Sequence, residues 1–271
     1  MKAGTENTQL TFWDHLDELR KVLVRSIVLL VVTTLIAFCF REELFEIVLA
    51  PKESDFCLYR FFCQVAGWIH LPSLCPEAFH VKLINTELAG QFLTHMSVAF
   101  YAGLLLASPY LLYQLFRFVS PALYENERRY SLRVVVWGYV LFMLGVLLNY
   151  FLIFPLTFRF LALYQVSNEV ENTIVLTSYI DMLMMLSLMM GIVFEIPVLC
   201  WLFAKLGILS VSFMQTYRKH AVVVILVIAA VITPTSDVFT LLMVACPILL
   251  LYEASIWIVR RVEKKRRLIV Q

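Results

Sequence analysis

Two long apolar runs with a charged segment between them constrain this chain more than any other feature. Val134 to Leu156 carries no charge at all, and Phe92 to Leu115 is almost uncharged. Between them lies Phe116-Arg117-Phe118-Val119-Ser120-Pro121-Ala122-Leu123-Tyr124-Glu125-Asn126-Glu127-Arg128-Arg129, with five ionisable residues close together. Runs of this length cross a hydrocarbon core of about 30 Å, and hydrocarbon does not tolerate the charged group that separates them. The segment therefore belongs at a bilayer surface. Its arginines, together with Arg133, assign that surface to the cytoplasmic side by the positive-inside rule. Ser120-Pro121 breaks the incoming helix, and Glu125 and Glu127 then fall in the first turns of the next, where carboxylates suit the positive helix end.

The rest of the chain repeats this pattern, which predicts an all-α integral membrane protein of one membrane domain, residues 1–271. The 271 residues are 61% hydrophobic and only 15% charged, far more apolar than a soluble domain. The apolar runs predict six spans, at about 22–40, 92–115, 132–154, 179–204, 221–232 and 238–259. Pro109 predicts a bend in the second span and Pro155 an end to the third. The fifth stretch is anomalous: 12 residues make about 18 Å of helix, short of the roughly 30 Å core. Either the bilayer thins there, flanking residues are drawn in, or the segment is re-entrant. A long outer loop, 41–91, opens with an amphipathic stretch that Pro51 stops. It holds Cys57, Cys63 and Cys75, and an odd count of three permits one disulfide among them.

The basic residues give the orientation. Of 22 lysines and arginines, Arg41, Lys52, Arg60, Lys82 and Arg159 fall in outer segments and the other 17 in inner ones. Both termini are thus expected in the cytoplasm. The same distribution argues against nucleic acid as a partner, because the cations punctuate apolar runs instead of forming one patch. The six cysteines have no metal-ligand spacing, so no metal or redox cofactor is expected. The scattered histidines (15, 70, 80, 95, 220) and the lack of hydrolase or metalloprotease signatures argue against an enzyme, and no catalytic residue is assigned.

Three places carry chemistry. Glu195, in Gly191-Ile192-Val193-Phe194-Glu195-Ile196-Pro197, lies ten residues from Lys205, about 15 Å along a helix and near the bilayer midplane. A carboxyl at that depth must face protein or water. It reads either as a transport group or as a hydrogen-bonded acid holding helices together. Asp237, after Thr233-Pro234-Thr235-Ser236, reads either as a functional acid or as the amino-terminal cap of the last helix. At the other end, Phe12, Leu16, Leu19 and Leu23 recur at helical spacing with Asp17, Glu18, Arg20 and Lys21 off the stripe. An interfacial anchor and a binding surface both fit.

Phe-Val-Ser-Pro-Ala-Leu-Tyr-Glu-Asn-Glu-Arg-Arg at 118–129 resembles the first cytoplasmic loop of TatC, the receptor subunit of the twin-arginine protein translocase. His15-Leu16-Asp17-Glu18-Leu19-Arg20 resembles the family's amino-terminal motif, and Phe194-Glu195-Ile196-Pro197 its Phe-Glu-x-Pro. The Thr-Pro…Asp turn matches approximately, and Pro51 stands where the family carries an Ala-Pro. The resemblance spans nearly the whole chain, and its main departure is the cysteine-bearing outer loop. It implies a six-span, cup-shaped subunit of the bacterial cytoplasmic (inner) membrane. This subunit would recognise twin-arginine signal peptides of folded precursors and nucleate their export, driven by the proton-motive force. Implied partners are TatA-like single-span subunits, a TatB-like one where the organism has it, and further copies of the chain. The signal-binding residues would be Glu18, Arg20, Phe118, Glu127 and Arg128, with Glu195 and Asp237 in the transport step and Pro51 and Pro121 structural.

Carboxylates suit that ligand, because a guanidinium's planar paired donors are accepted bidentately and an ammonium cannot reproduce the geometry. The alternative is a secondary transporter using Glu195 as a proton or cation site. That class often shows internal repeats, and residues 1–130 and 131–271 share no self-similarity.

Overall fold

The computed structural model describes residues 12–69, 81–119, 131–165, 167, 172–233, 235 and 237–270. Helix α1 (Phe12–Cys39) joins the amphipathic stretch and the first span in one rod. Helix α2 (Arg41–Leu49), a 3-10 turn (Ala50–Lys52), α3 (Cys57–Ile69) and strand β1 (Leu83–Ile84) occupy the long outer loop. Then come α4 (Gly90–Val119), α5 (Ser131–Leu148), a π-helical turn (Asn149–Ile153) and α6 (Phe154–Leu163). Strand β2 (Ile174–Val175) leads into α7 (Leu176–Val193), α8 (Ile196–Leu206) and α9 (Val211–Thr216), followed by α10 (Arg218–Ile232) and α11 (Val238–Val270).

Among the described residues, five stretches are long and apolar enough to cross a membrane: Leu16–Cys39, Gly90–Arg117, Val134–Leu163, Leu176–Leu206 and Val238–Lys265. The sixth membrane helix is α10. Its 15 residues make about 22 Å, longer than the 12-residue apolar run because Arg218, Lys219 and His220 form its first turn. We call inner the end holding residues 16–20, the last turn of α4, 207–219 and 260–265, and outer the opposite end.

Prolines interrupt fewer helices than the sequence suggests. Helix α4 runs through Pro109, and the Ser108 hydroxyl donates to the Leu105 carbonyl at 2.7 Å, the acceptor that proline cannot serve. The expectation that Pro155 ends the third span is corrected. The chain widens into the π-helical turn just before it and continues as α6 to Leu163, with Pro155 in the first turn, where its missing N–H costs nothing.

Small residues set the helix contacts. A Cβ on Gly145 would lie 2.6 Å from the Met190 carbonyl oxygen, and one on Gly191 would lie 2.7 Å from the Phe142 ring. Bulkier residues would separate α5 from α7. Asn149 donates to the Ser187 hydroxyl at 2.8 Å across the same pair. Helices α1 and α4 meet likewise: a Cβ on Gly103 would fall 2.7 Å from Thr34 backbone atoms, and the Thr33 hydroxyl donates to the Gly103 carbonyl at 2.9 Å.

The outer end is bound together by tyrosines. Pro51 has no N–H for the Ile47 carbonyl, and the Tyr150 hydroxyl supplies that hydrogen bond at 2.7 Å. One residue on, the Tyr179 hydroxyl donates to the Val48 carbonyl at 2.9 Å. Tyr59 donates to Pro155 at 2.8 Å, and its burial pushes its pKa up to about 12. Beneath them Phe154 and Phe158 stack on each other, and both meet the Tyr179 ring edge to face, with centroids 5.1 and 4.9 Å away. Strands β1 and β2 pair in parallel, Leu83 with Ile174 and Ile84 with Val175, tying the two outer loops. Cys63 is disulfide-bonded, whereas Cys39 and Cys57 are free. Three methionines of α7, Met182, Met184 and Met190, are packed in the core.

At the inner end α8 closes on Gly207 at φ 78°, with Ile208 N–H donating to the Phe203 carbonyl in a left-handed cap. The loop that follows is held by α11. Tyr252 donates to the Met214 carbonyl at 2.8 Å, the Glu263 carboxylate accepts from Val211 N–H at 2.9 Å, and Arg218 pairs with Glu253. Ala204, Met214, Ile256, Val259 and Val262 form the apolar seam beneath.

Candidate functional site

The antiparallel pairing of α1 with α4 decides where the two candidate recognition segments stand. Thr33 meets Gly103, and near the outer end Phe38 stacks on His95 with centroids 4.1 Å apart. Fifteen residues back from Thr33 lies Glu18, and fifteen on from Gly103 lies Phe118. Each step is about 22 Å of helix, so the two are level at the inner end. Glu18 is half-buried there, and Asp17 and Arg20 are exposed. Phe118 lies in the last turn of α4, which ends at Val119. The Phe118 side chain and all of Pro121, Glu127 and Arg128 lie outside the described residues.

Glu195 sits at the break between α7 and α8, and the break changes the span's partner. Helix α7 packs on α5, whereas α8 packs on α11. Pro197 fits because it falls in the first turn of α8, where no N–H is needed. The Glu195 side chain is only 9% exposed and lies against α5 where Gly138 leaves room. A Cβ on Gly138 would be 3.1 Å from Oε2 and 3.4 Å from both Oε1 and Phe116 Cε2. Oε1 has no hydrogen-bond partner among the described residues.

The carboxyl lies level with a point about 10 Å along α5 from Ser131, beside the last turn of α4, where the Phe116 ring approaches the same glycine.

Asp237 is accounted for locally. Its Oδ1 accepts from Thr240 N–H at 2.6 Å, which caps α11. Burial raises its pKa, but the Thr240 N–H, with the Thr240 and Thr235 hydroxyls nearby, outweighs that and holds the carboxyl below its ordinary value. Pro51 is buried in the 3-10 turn, beneath the tyrosine contacts. Asp237 and Pro51 therefore stand at the outer end, apart from Glu18, Phe118 and Glu195.

Gly138 escaped the sequence reading. Its signal was present: it stands seven residues before Gly145 in an otherwise bulky run, so the two glycines share one face of α5. No group of three or more metal-ligating side chains occurs among the described residues.

The family profile described as Sec-independent protein translocase protein (TatC) matches residues 14–247. The Sec-independent protein translocase protein TatC of Blattabacterium sp. subsp. Periplaneta americana is 33% identical over 264 residues, covering 96% of this chain and 99% of its own length. That of Magnetococcus marinus is 36% identical, covering 93% and 85%. A crystal structure described as that of the twin arginine translocase receptor TatC superposes with a TM-score of 0.72 at 31% identity, covering 92% of this chain and 99% of the other.

Proposed function

This chain belongs to the TatC family of Sec-independent protein translocase proteins, and on that premise we propose that it is the translocase subunit that receives twin-arginine signal peptides. One observation carries the proposal: the α1–α4 register that sets Glu18 and Phe118 level at the inner end. On this reading Glu18, with Glu127 from the adjoining loop, accepts the two guanidinium groups of the signal. Two acceptors on separate segments suit two adjacent arginines better than one would. Phe118 packs against the apolar part of the signal, while Arg20 and Arg128 hold the flanking carboxylates in place.

Glu195 stands beside the last turn of α4, and its Oε1, unpaired among the described residues, can accept a donor from an arriving helix. Its role is the step after recognition: it engages a polar group of a TatA-like single-span partner as the precursor is passed on. The partners, the several copies of the chain and the dependence on proton-motive force belong to the same reading. Inner-end exposure to the cytoplasm, with both termini on that side, is supported by the 17-to-5 distribution of basic residues. The disulfide at Cys63, at the outer end, suits an oxidising compartment. The transporter alternative is set aside, because the relatives match along nearly the whole chain.

The test is photo-crosslinking of a twin-arginine signal peptide to membranes holding the protein, with probes at Phe118 and beside Glu18. Crosslinks are expected to fall at least about tenfold with a twin-lysine peptide and with Glu18→Gln, the loss of one charge-assisted pair. Crosslinks indifferent to both changes would remove the receptor reading.

A further inference from the structure

We propose that the exposed basic face of α11, where it leaves the bilayer, is a binding site for the headgroups of anionic phospholipids. This inference rests on the geometry of α11 alone and is independent of the receptor reading. Trp257, Arg260, Arg261, Lys264 and Lys265 are all exposed. Their spacing of three, four, seven and eight residues from Trp257 places them on one side of the helix. The opposite side is already covered: Ile256, Val259 and Val262 pack on Ala204 and Met214. The one acid of this stretch, Glu263, is turned to that covered side, where it accepts Val211 N–H at 2.9 Å. From Trp257 to Lys265 the face therefore carries four cations and, among the described residues, no carboxylate, and Glu253, one turn before Trp257 on the same side, is paired with Arg218.

Helix direction brings these cations to lipid. Helix α11 runs outward-in, and side chains on a helix tilt toward its amino terminus, here back toward the bilayer from which it emerges. Trp257 marks the boundary: it is 52% exposed at the end of the apolar run, the level where indoles sit among headgroups. The Arg261 guanidinium lies over its ring, 3.4 Å from the centroid. This stacking fixes the charge along the helix surface while leaving the guanidinium edge open to a phosphate. An anionic lipid matches all three features: negative headgroup, acyl chains along the exposed apolar surface below, and a position fixed by the span itself.

The experiment is native mass spectrometry of the full-length protein in detergent, titrated with phosphatidylglycerol or with zwitterionic phosphatidylethanolamine. Phosphatidylglycerol should bind at least about tenfold more tightly, since each cation near an anionic headgroup changes binding roughly fivefold. The quadruple variant R260Q/R261Q/K264Q/K265Q should bring the two lipids to parity with its thermal midpoint in lipid-free detergent unchanged. The milder Arg261→Gln should lose roughly fivefold, and Lys219→Gln, an inner cation off this face, should lose nothing. Equal binding of the two lipids by the natural sequence would overturn the proposal. So would a phosphatidylglycerol preference that survives the quadruple variant. A face that ignores both lipids yet binds a polyglutamate peptide would be a protein site, and would also overturn it.

Discussion

At the outer end of this molecule the contacts join both outer loops to the bundle; at the inner end the contacts among the described residues gather on one side, where α11 holds α8 and the loop that follows it. The outer end has a buried aromatic stack, three tyrosine hydroxyls on backbone carbonyls, a parallel strand pair and a disulfide-bonded loop. The inner end has the exposed first turns of α1, the last turn of α4 and the loop held on α11. The same contrast separates two spans: 61% of the most apolar window of α7–α8 is enclosed, against 6% in α1. The difference teaches where the fold is fixed and where it is offered. Packing at the outer end and between α5 and α7 holds the scaffold, so that α1 and the inner surfaces are left to meet ligands, lipid and partners.

This contrast can be broken from its rigid side. Gly145→Val should have the largest effect, because its Cβ would overlap the Met190 carbonyl, a backbone atom that cannot turn aside. Overpacking of this kind costs about 3 kcal/mol, and thermal unfolding in detergent should show the greatest loss of any single change named here. Tyr179→Phe should cost about 1 kcal/mol in the same measurement, since it leaves the Val48 carbonyl without the Tyr179 hydroxyl while keeping the stack on Phe154 and Phe158. Val28→Ala, on the exposed face of α1, should change stability by no more than about 0.5 kcal/mol. A cost at Val28 equal to that at Tyr179 would show α1 to be as firmly packed as the outer end, and the contrast would fail.

Much of this was legible in the sequence, for definable reasons. The spans follow from uninterrupted apolar runs, and Glu195 stood out because an acid within such a run demands an explanation. The level pairing of Glu18 with Phe118 was suggested by resemblance, but its physical basis, the meeting of Thr33 with Gly103, depends on a contact 70 residues apart in sequence. The tyrosine contacts are likewise invisible locally: Tyr150 and Tyr179 reach carbonyls 103 and 131 residues away. The neighbours of Glu195 were not legible, because counting along one helix cannot show that the break at Phe194-Glu195 turns the chain from α5 onto α11. Pro155 misled in the opposite sense, since a π-helical turn absorbs what would otherwise end the helix.

The pairing of β1 with β2 sets an order of assembly. Leu83 waits for Ile174, so 91 residues must be synthesised after the first strand before its partner exists. At about 5 to 20 residues per second this is roughly 5 to 18 s. Until Tyr150 and then Tyr179 are made, α2 lacks the hydroxyls that bind its Ile47 and Val48 carbonyls, and the first outer loop must endure translocation without them. A covalent link at Cys63, made within the loop's own environment, would protect it from proteolysis during this wait. Joining of the two outer loops is thus a late event in biogenesis, possible only once the chain beyond the third span has been made.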